Sequence, residues 1–342
     1  MKPCVLLIRA DANVAIGTGH VMRCLALAQA WRDAGGNASF AVAEMPEMLR
    51  SRLTSNGFHC IPIEASPAAA GDASALVAEA GRIGADWVVV DGDRFGSDFL
   101  NRVRRDGQRV LLIDDFAERD TFPADLILNA NLGADAELYR TSGLNVPVLT
   151  GPRYVLLRRE FRRHREPRIR EKADRVLVTL GGSDPEDLTP RIASALVQSS
   201  DLQVTVVAGA GYPHVGKLRE ISHANLRVVV DSQDMAELMM ETDLAIIAAG
   251  GTLWELLTLG CTVLSYSRNT VQARVVHSLA AEGIVVDMGD AGGFDPVTLV
   301  SAVRGLAGSR SARERMAFLG REIADGLGAL RVVEALQHYG AR

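Results

Sequence analysis

Val5-Leu6-Leu7-Ile8-Arg9-Ala10-Asp11-Ala12-Asn13, continuing into Gly17-Thr18-Gly19-His20-Val21-Met22-Arg23-Cys24-Leu25, reads as strand, glycine-bearing loop and helix. Residues 5–8 of the run at 5–9 are apolar, β-branched or Leu, as a strand buried on both faces requires. From Val21 onward the apolar residues recur at helical spacing, so 21–34 is expected to form an amphipathic helix. A strand turned directly into a helix by a glycine loop is the first half of a βαβ unit.

Outward from this stretch the same alternation repeats. Strand-like runs lie at 38–43, 59–63, 87–90, 109–113 and 126–128, with a further helical segment at 98–106. The pattern stops over 151–174, which is Pro-flanked and charged, and restarts with runs at 175–180, 203–208, 227–230, 244–248, 262–265 and 284–286. The last stretch is rich in Ala, Arg and Leu and reads as helices. This predicts an α/β protein with two Rossmann-like, doubly wound domains facing across a cleft: 1–150, a linker at 151–173, and 174–342 including the terminal helices. The length of 342 residues fits two cores rather than one.

Composition narrows the function classes. Hydrophobic residues make up 48% and charged residues 23%, the balance of a globular protein in water. The net charge is −5, and no basic run interleaved with aromatics points to a nucleic-acid partner. The densest basic stretch, 158–172, is interrupted by Glu160, Glu166 and Glu171 and reads as a solvated linker. The 4 cysteines form no C-x-x-C pair, which argues against zinc and a disulfide framework and fits a reducing cytoplasm. No apolar run approaches the ~18 residues of a membrane span, and the Met-Lys start has no signal-peptide pattern.

In open α/β sheets, ligands bind beyond the carboxyl ends of the strands, so the loops that follow strands carry the information. The loop 10–19 ends in Gly17-Thr18-Gly19-His20. Its glycines let backbone N–H groups come close to a ligand. A helix start disfavours positive charge, so His20 is expected to have a lowered pKa and act as a neutral general base. A dinucleotide fingerprint requires a third glycine where Met22 stands, which argues against NAD. A plain helix-capping loop with an incidental histidine is the competing reading.

Leu180-Gly181-Gly182-Ser183-Asp184-Pro185 and Ala248-Ala249-Gly250-Gly251-Thr252 also follow strands. The second precedes a helix, whose amino end suits a diphosphate, with Thr252 as hydroxyl donor and Glu255 one turn on, within reach of a ribose diol. Ser183 or Asp184 serving only as a helix cap, and Glu255 as a surface residue, are the competing readings. Asp114-Asp115 ends a strand. Neighbouring strand residues point in different directions, which favours a structural or polar role over metal binding.

Together these segments resemble a known family. Arg9 to Asn13 with Ile16 to Cys24 resembles the opening of the UDP-sugar hydrolases of the pseudaminic acid pathway, the PseG family. Gly151-Pro152-Arg153-Tyr154-Val155-Leu156-Leu157-Arg158-Arg159-Glu160-Phe161 is similar to their domain junction. Leu177 to Pro185 and Ala249 to Leu256 are similar to their two C-terminal nucleotide loops.

The resemblance covers residues 1 to 290 and implies a GT-B architecture like the MurG-type transferases. It also implies hydrolysis of UDP-2,4-diacetamido-2,4,6-trideoxy-β-L-altropyranose, with His20 activating water for inverting attack at C1 and with no metal or cofactor. By the same resemblance Gly17, Thr18, Gly19 and Arg23 surround the substrate. Gly181, Gly182, Ser183, Asp184, Gly250, Gly251, Thr252 and Glu255 hold UDP, and Asn269 and Gln272 stand for the family's Asn-Gln pair.

Two departures fall where the sugar is expected. The family's Asp-His-Tyr is Asp91-Gly92-Asp93, and Asn269 and Gln272 are separated by Thr270-Val271. The expected partner is therefore a small-molecule UDP-sugar of open identity, without nucleic acid or stable membrane insertion. Because UDP is a good leaving group, a base opposite phosphate-binding amides suffices for hydrolysis. A glycosyltransferase on the same fold and a non-catalytic sugar-nucleotide binding protein are the alternatives.

Overall fold

The computed structural model describes the chain except residues 1–3, 14, 106, 141–145, 163–168, 182–183, 200, 210–211, 233 and 341–342. The chain separates into two compact units, Met1–Arg159 with Gly326–Arg342, and Glu160–Asp325.

The first unit is built on strands β1 (Val5–Ala10), β2 (Asn37–Val42), β3 (His59–Pro62), β4 (Trp87–Asp91), β5 (Val110–Ile113), β6 (Leu126–Asn129) and β7 (Val148–Thr150). They form a 7-stranded sheet in the order β3-β2-β1-β4-β5-β6-β7, with every pairing parallel. The edge strand β7 is not foreshadowed in the sequence, because three residues are too few to show a period. Helices α1 (Gly19–Asp33), α2 (Glu47–Ser55), α3 (Ala70–Ile83) and α4 (Ser97–Arg105) connect the strands.

Alternation along the central strands divides their side chains between two cores. Leu6, Ile8, Trp87 and Val89 pack with Leu25 and Leu27 of α1 on one face. Leu7, Val88 and Val90 pack with Leu76 of α3 and Leu100 and Val103 of α4 on the other. Burial on both faces is why the strands read as apolar runs rather than as alternating patterns.

The second unit repeats the plan. Strands β8 (Arg175–Thr179), β9 (Gln203–Ala208), β10 (Leu226–Val230), β11 (Leu244–Ala248), β12 (Thr262–Ser267) and β13 (Val285–Asp290) form a 6-stranded sheet in the order β10-β9-β8-β11-β12-β13. All of these pairings are parallel as well. Helices α5 (Leu188–Ser199), α6 (Val215–Glu220), α7 (Met235–Met240), α8 (Gly251–Leu259), α9 (Thr270–Ala281), α10 (Pro296–Gly308) and α11 (Arg310–Ile323) accompany it.

The last helix, α12 (Gly328–Gly340), departs from the expected division of the chain. The sequence reading places the terminal helices in the second domain, whereas α12 packs in the first unit. Ala329, Val332, Val333 and Leu336 enter the same core as Leu25 of α1. Its approach is close: a Cβ at Gly328 would lie 2.3 Å from the Val155 carbonyl oxygen. Arg331 donates to the Arg153 carbonyl at 2.9 Å. The expected linker divides as well, with residues up to Arg159 in the first unit and those from Glu160 in the second. An amphipathic pattern shows that a helix covers a core, but not which core. No helix among the described residues is long and apolar enough to cross a membrane.

Candidate active site

In the first sheet the strand order reverses between β1 and β4, and the carboxyl ends at such a reversal are where open α/β sheets take their ligands. Ala10 of β1 stands beside Asp91 of β4. The loop leaving β1 is folded on Asn13, whose side-chain oxygen accepts from the backbone N–H of Ala15 and of Ile16, both at 2.9 Å. Gly17 has φ +72°, a left-handed conformation that favours glycine. The loop then delivers α1, with His20 in its first turn and Arg23 and Cys24 one turn later on the same face.

All three side chains converge on Asp91. His20 Nδ1 lies 2.7 Å from Asp91 Oδ1. Arg23 donates to both carboxylate oxygens, at 2.7 and 2.6 Å. Cys24 Sγ donates to Oδ2 at 3.4 Å. Arg23 also forks onto Asp115, with both N–H···O contacts at 2.8 Å. Asn131 fixes Asp115 from the far side, donating to its carbonyl and its carboxylate.

These contacts set the protonation states. Burial alone would raise the pKa of Asp91, but the charge of Arg23 and hydrogen bonds from Arg23 and His20 outweigh it and hold the carboxyl well below its usual range. An ionised Asp91 can only accept, so Nδ1 of His20 carries the proton and Nε2 of the neutral ring carries the lone pair. The His20 side chain is 17% exposed and that of Asp91 is fully buried.

The hydrogen bond to Asp91 raises the His20 pKa, against the smaller opposing effects of burial and the Arg23 charge. This corrects the expectation of a lowered value. The field of a helix start contributes roughly 0.3–1 kcal/mol, and a buried carboxylate in direct contact exceeds it. Burial, reinforced by the Asp91 charge, pushes the Cys24 thiol far up, which removes it as a thiolate nucleophile.

Asp114 and Asp115 point to different partners, as their strand positions suggest. Asp114 is bonded to Arg119 and accepts from Tyr139 Oη at 2.8 Å. Among the described residues no three His, Cys, Asp or Glu side chains are grouped as a metal-ligand set. Gly92, which stands where a histidine is usual in the resembling family, has φ +142°, and a Cβ there would lie 3.1 Å from the Phe95 ring. The departure at this position is therefore built into the backbone.

In the second unit the strand order reverses between β8 and β11. Gly181 follows β8 with φ +87°. Gly182 and Ser183 lie outside the described residues. Asp184 is buried and accepts from the backbone N–H of Leu188 at 3.3 Å and Thr189 at 2.8 Å. It therefore holds the first turn of α5, and the capping alternative describes its position.

Gly250 and Gly251 lead into α8, and a Cβ built on either meets nothing within 4 Å. Thr252 and Glu255 follow in its first turns, both partly buried. Asn269 Oδ1 accepts from the Gln272 N–H at 2.9 Å, and Gln272 Oε1 accepts from the Arg268 N–H at 2.9 Å. These two residues close the start of α9 on each other, as a capping pair does.

The structure thus collects Gly17, Thr18, Gly19, His20 and Arg23 at the end of β1. It collects Gly181, Asp184, Gly250, Gly251, Thr252, Asn269 and Gln272 at the ends of β8, β11 and β12. Of the residues at these strand ends, Arg268 is absent from the sequence reading, while Asp91 and Asp115 are noted there without a role beside His20 and Arg23. An acid closing the apolar run Trp87-Val88-Val89-Val90 was the available signal for Asp91.

No family model matches the chain. It is 26% identical over 274 residues to an uncharacterized protein of Methanocaldococcus jannaschii, covering 77% of this chain and 55% of that protein. The chain therefore spans about half the length of that relative. It is 28% identical over 235 residues to the spore coat polysaccharide biosynthesis protein SpsG of Bacillus subtilis, covering 67% and 69% of the two chains. It is 27% identical over 292 residues to the UDP-2,4-diacetamido-2,4,6-trideoxy-β-L-altropyranose hydrolase of Campylobacter jejuni, covering 82% and 98%.

Among solved structures, MurG of Acinetobacter baumannii superposes with a TM-score of 0.66 at 20% identity, over 98% of this chain and 100% of that one. The spinosyn forosaminyltransferase SpnP superposes with a TM-score of 0.70 at 15% identity, over 100% of both chains. The chain thus has the α/β GT-B fold of these MurG-like glycosyltransferases, and over most of its length it is similar to the altropyranose hydrolase, as its opening motif implied.

Proposed function

We propose that the protein cleaves a UDP-linked amino or deoxy sugar at the anomeric carbon, releasing UDP and the free sugar, in nonulosonic acid biosynthesis of the pseudaminic type. The observation that carries the reading is the 2.7 Å contact between His20 Nδ1 and the buried Asp91 carboxylate. It leaves Nε2 of the neutral ring to accept a proton. Similarity to the C. jejuni hydrolase over 82% of the chain supports the substrate class.

In this mechanism His20 takes a proton from water as its oxygen attacks C1, and the C1–O bond to the diphosphate breaks with inversion. Asp91 stays ionised and stabilises the imidazolium that forms. Such a base contributes roughly 10²–10⁴-fold. UDP leaves without a strong general acid because the diphosphate is already a weak base. Amides of the Gly181 and Gly250–Gly251 turns are assigned to the diphosphate, Thr252 to a phosphate oxygen and Glu255 to the ribose diol.

A second reading keeps the same base and replaces water by the hydroxyl of a sugar acceptor. The glycosyltransferases that share the fold favour it. One experiment separates the two: UDP release from a panel of UDP-sugars, without and with acceptors, in wild type and His20→Ala. Acceptor-free release lost in the variant supports hydrolysis. Release only with an acceptor supports transfer. UDP binding without release in either condition refutes both.

A further inference from the structure

The side chain of Arg268 crosses the second sheet at its carboxyl end. Arg268 follows β12, and its Nη2 donates to the carbonyl of Leu180, just past β8, at 2.5 Å. β11 lies between those two strands. The guanidinium therefore reaches across roughly two strand spacings of about 4.8 Å, over the place where the chain leaves β11 through Ala249 and Gly250 into α8. That place lies where the strand order reverses between β8 and β11, the position at which open α/β sheets bind ligands.

The contacts of Arg268 leave part of its charge available. Nη2 also lies 3.4 Å from Asp184 Oδ1, and Nε lies 3.3 Å from Glu186 Oε2. Nη1 has no hydrogen-bond partner among the described residues, and it sits 3.9 Å from where a Cβ on Gly181 would stand. The side chain is 18% exposed. A rigid, always-charged fork with two open N–H donors beside a glycine turn is what a pair of phosphate oxygens needs. Among the described residues, no other Lys or Arg side chain pairs with Asp184 or approaches Gly181.

We infer that Arg268 binds the diphosphate of the nucleotide and supplies the fixed positive charge toward which the leaving group departs. The inference rests on the UDP-sugar reading and adds a residue to it. Asp184, Glu186 and the Leu180 carbonyl orient the guanidinium. Glu186, the more exposed of the two acids, competes with the phosphates for it.

Calorimetric titration with uridine, UMP and UDP tests this in wild type, Arg268→Met, Arg268→Lys and Glu186→Gln. The expected result is that Arg268→Met weakens UDP on the order of 10- to 100-fold, the scale of a charged hydrogen bond. Uridine affinity is unchanged. Arg268→Lys recovers part of the loss, and Glu186→Gln tightens UDP.

An Arg268 that merely braced the β8 turn would weaken uridine and UDP equally and leave Glu186→Gln without a gain; either result overturns the proposal. Should Arg268→Met fail to fold, the Arg268→Lys and Glu186→Gln titrations decide. Unchanged UDP affinity in those two variants, with UDP still bound and released by wild type, refutes the role of Arg268 and leaves the UDP-sugar reading standing. Absence of UDP binding in wild type refutes both.

Discussion

His20 Nδ1 and Asp91 Oδ1 lie 2.7 Å apart although 71 positions separate them in the chain. Arg23 bonds the same carboxylate from one turn further along α1. If this pairing sets the tautomer of the base, Asp91→Asn keeps the shape and reverses the hydrogen bond. The amide can donate to Nδ1, which leaves the proton on Nε2. UDP release is expected to fall by about 10²–10⁴-fold with little change in KM. Steady-state kinetics with a UDP-sugar check this, and a rise in KM at constant kcat would contradict it.

The raised pKa of His20 fixes the direction of the pH dependence. The base works deprotonated, so kcat/KM rises with pH through an apparent value raised above that of a free histidine. Arg23 lowers the His20 pKa, so in Arg23→Met the rising limb moves to higher pH. A limb that stays in place on this substitution would show that another group is titrating.

The same shift bears on stability. A histidine whose folded pKa lies above its unfolded value contributes stability that is fully present below about pH 6.5 and lost as pH rises through the folded value. The melting temperature of wild type minus that of His20→Gln is therefore expected to shrink between pH 6 and pH 9. A difference that widens over this interval would contradict the assigned charge state.

Position 92 admits only glycine at ordinary cost. Its φ of +142° and the Phe95 ring 3.1 Å from a built Cβ together penalise any side chain. Gly92→His, which restores the residue usual in the resembling family, is expected to destabilise the fold by about 1–3 kcal/mol in urea denaturation, and to bring no gain in turnover. A neutral effect on stability would show that the Asp91–Arg94 turn can rearrange.

Leu336 is fully buried and lies in the core that α12 shares with Leu25 and Trp87. Leu336→Ala is expected to cost about 2–5 kcal/mol, read as a lower denaturation midpoint. UDP affinity should hold, because that site is assigned to the other unit. A joint loss of both would tie α12 to nucleotide binding.

Glu255→Ala is expected to raise KM for UDP-sugar more than it lowers kcat, because ribose contacts bind ground and transition states alike. A defect confined to kcat would remove Glu255 from the ribose and place its effect on the chemistry.

The sequence by itself determined the strands, the loops that follow them and the histidine that begins α1. Those signals are local: short apolar runs, glycines beside them and helical spacing beyond. The run at 87–90 announced β4, and Gly17-Thr18-Gly19-His20 announced the loop after β1. Only the tertiary structure decided what His20 touches. The order β2-β1-β4-β5 sets Asp91 beside the end of β1, and no spacing along the chain encodes that neighbour. From the same cause the His20 pKa goes up rather than down. The placement of Arg268 across β11 and the packing of α12 on α1 are likewise consequences of strand order and core packing. These are long-range properties, fixed by which buried surfaces meet rather than by any one segment's pattern.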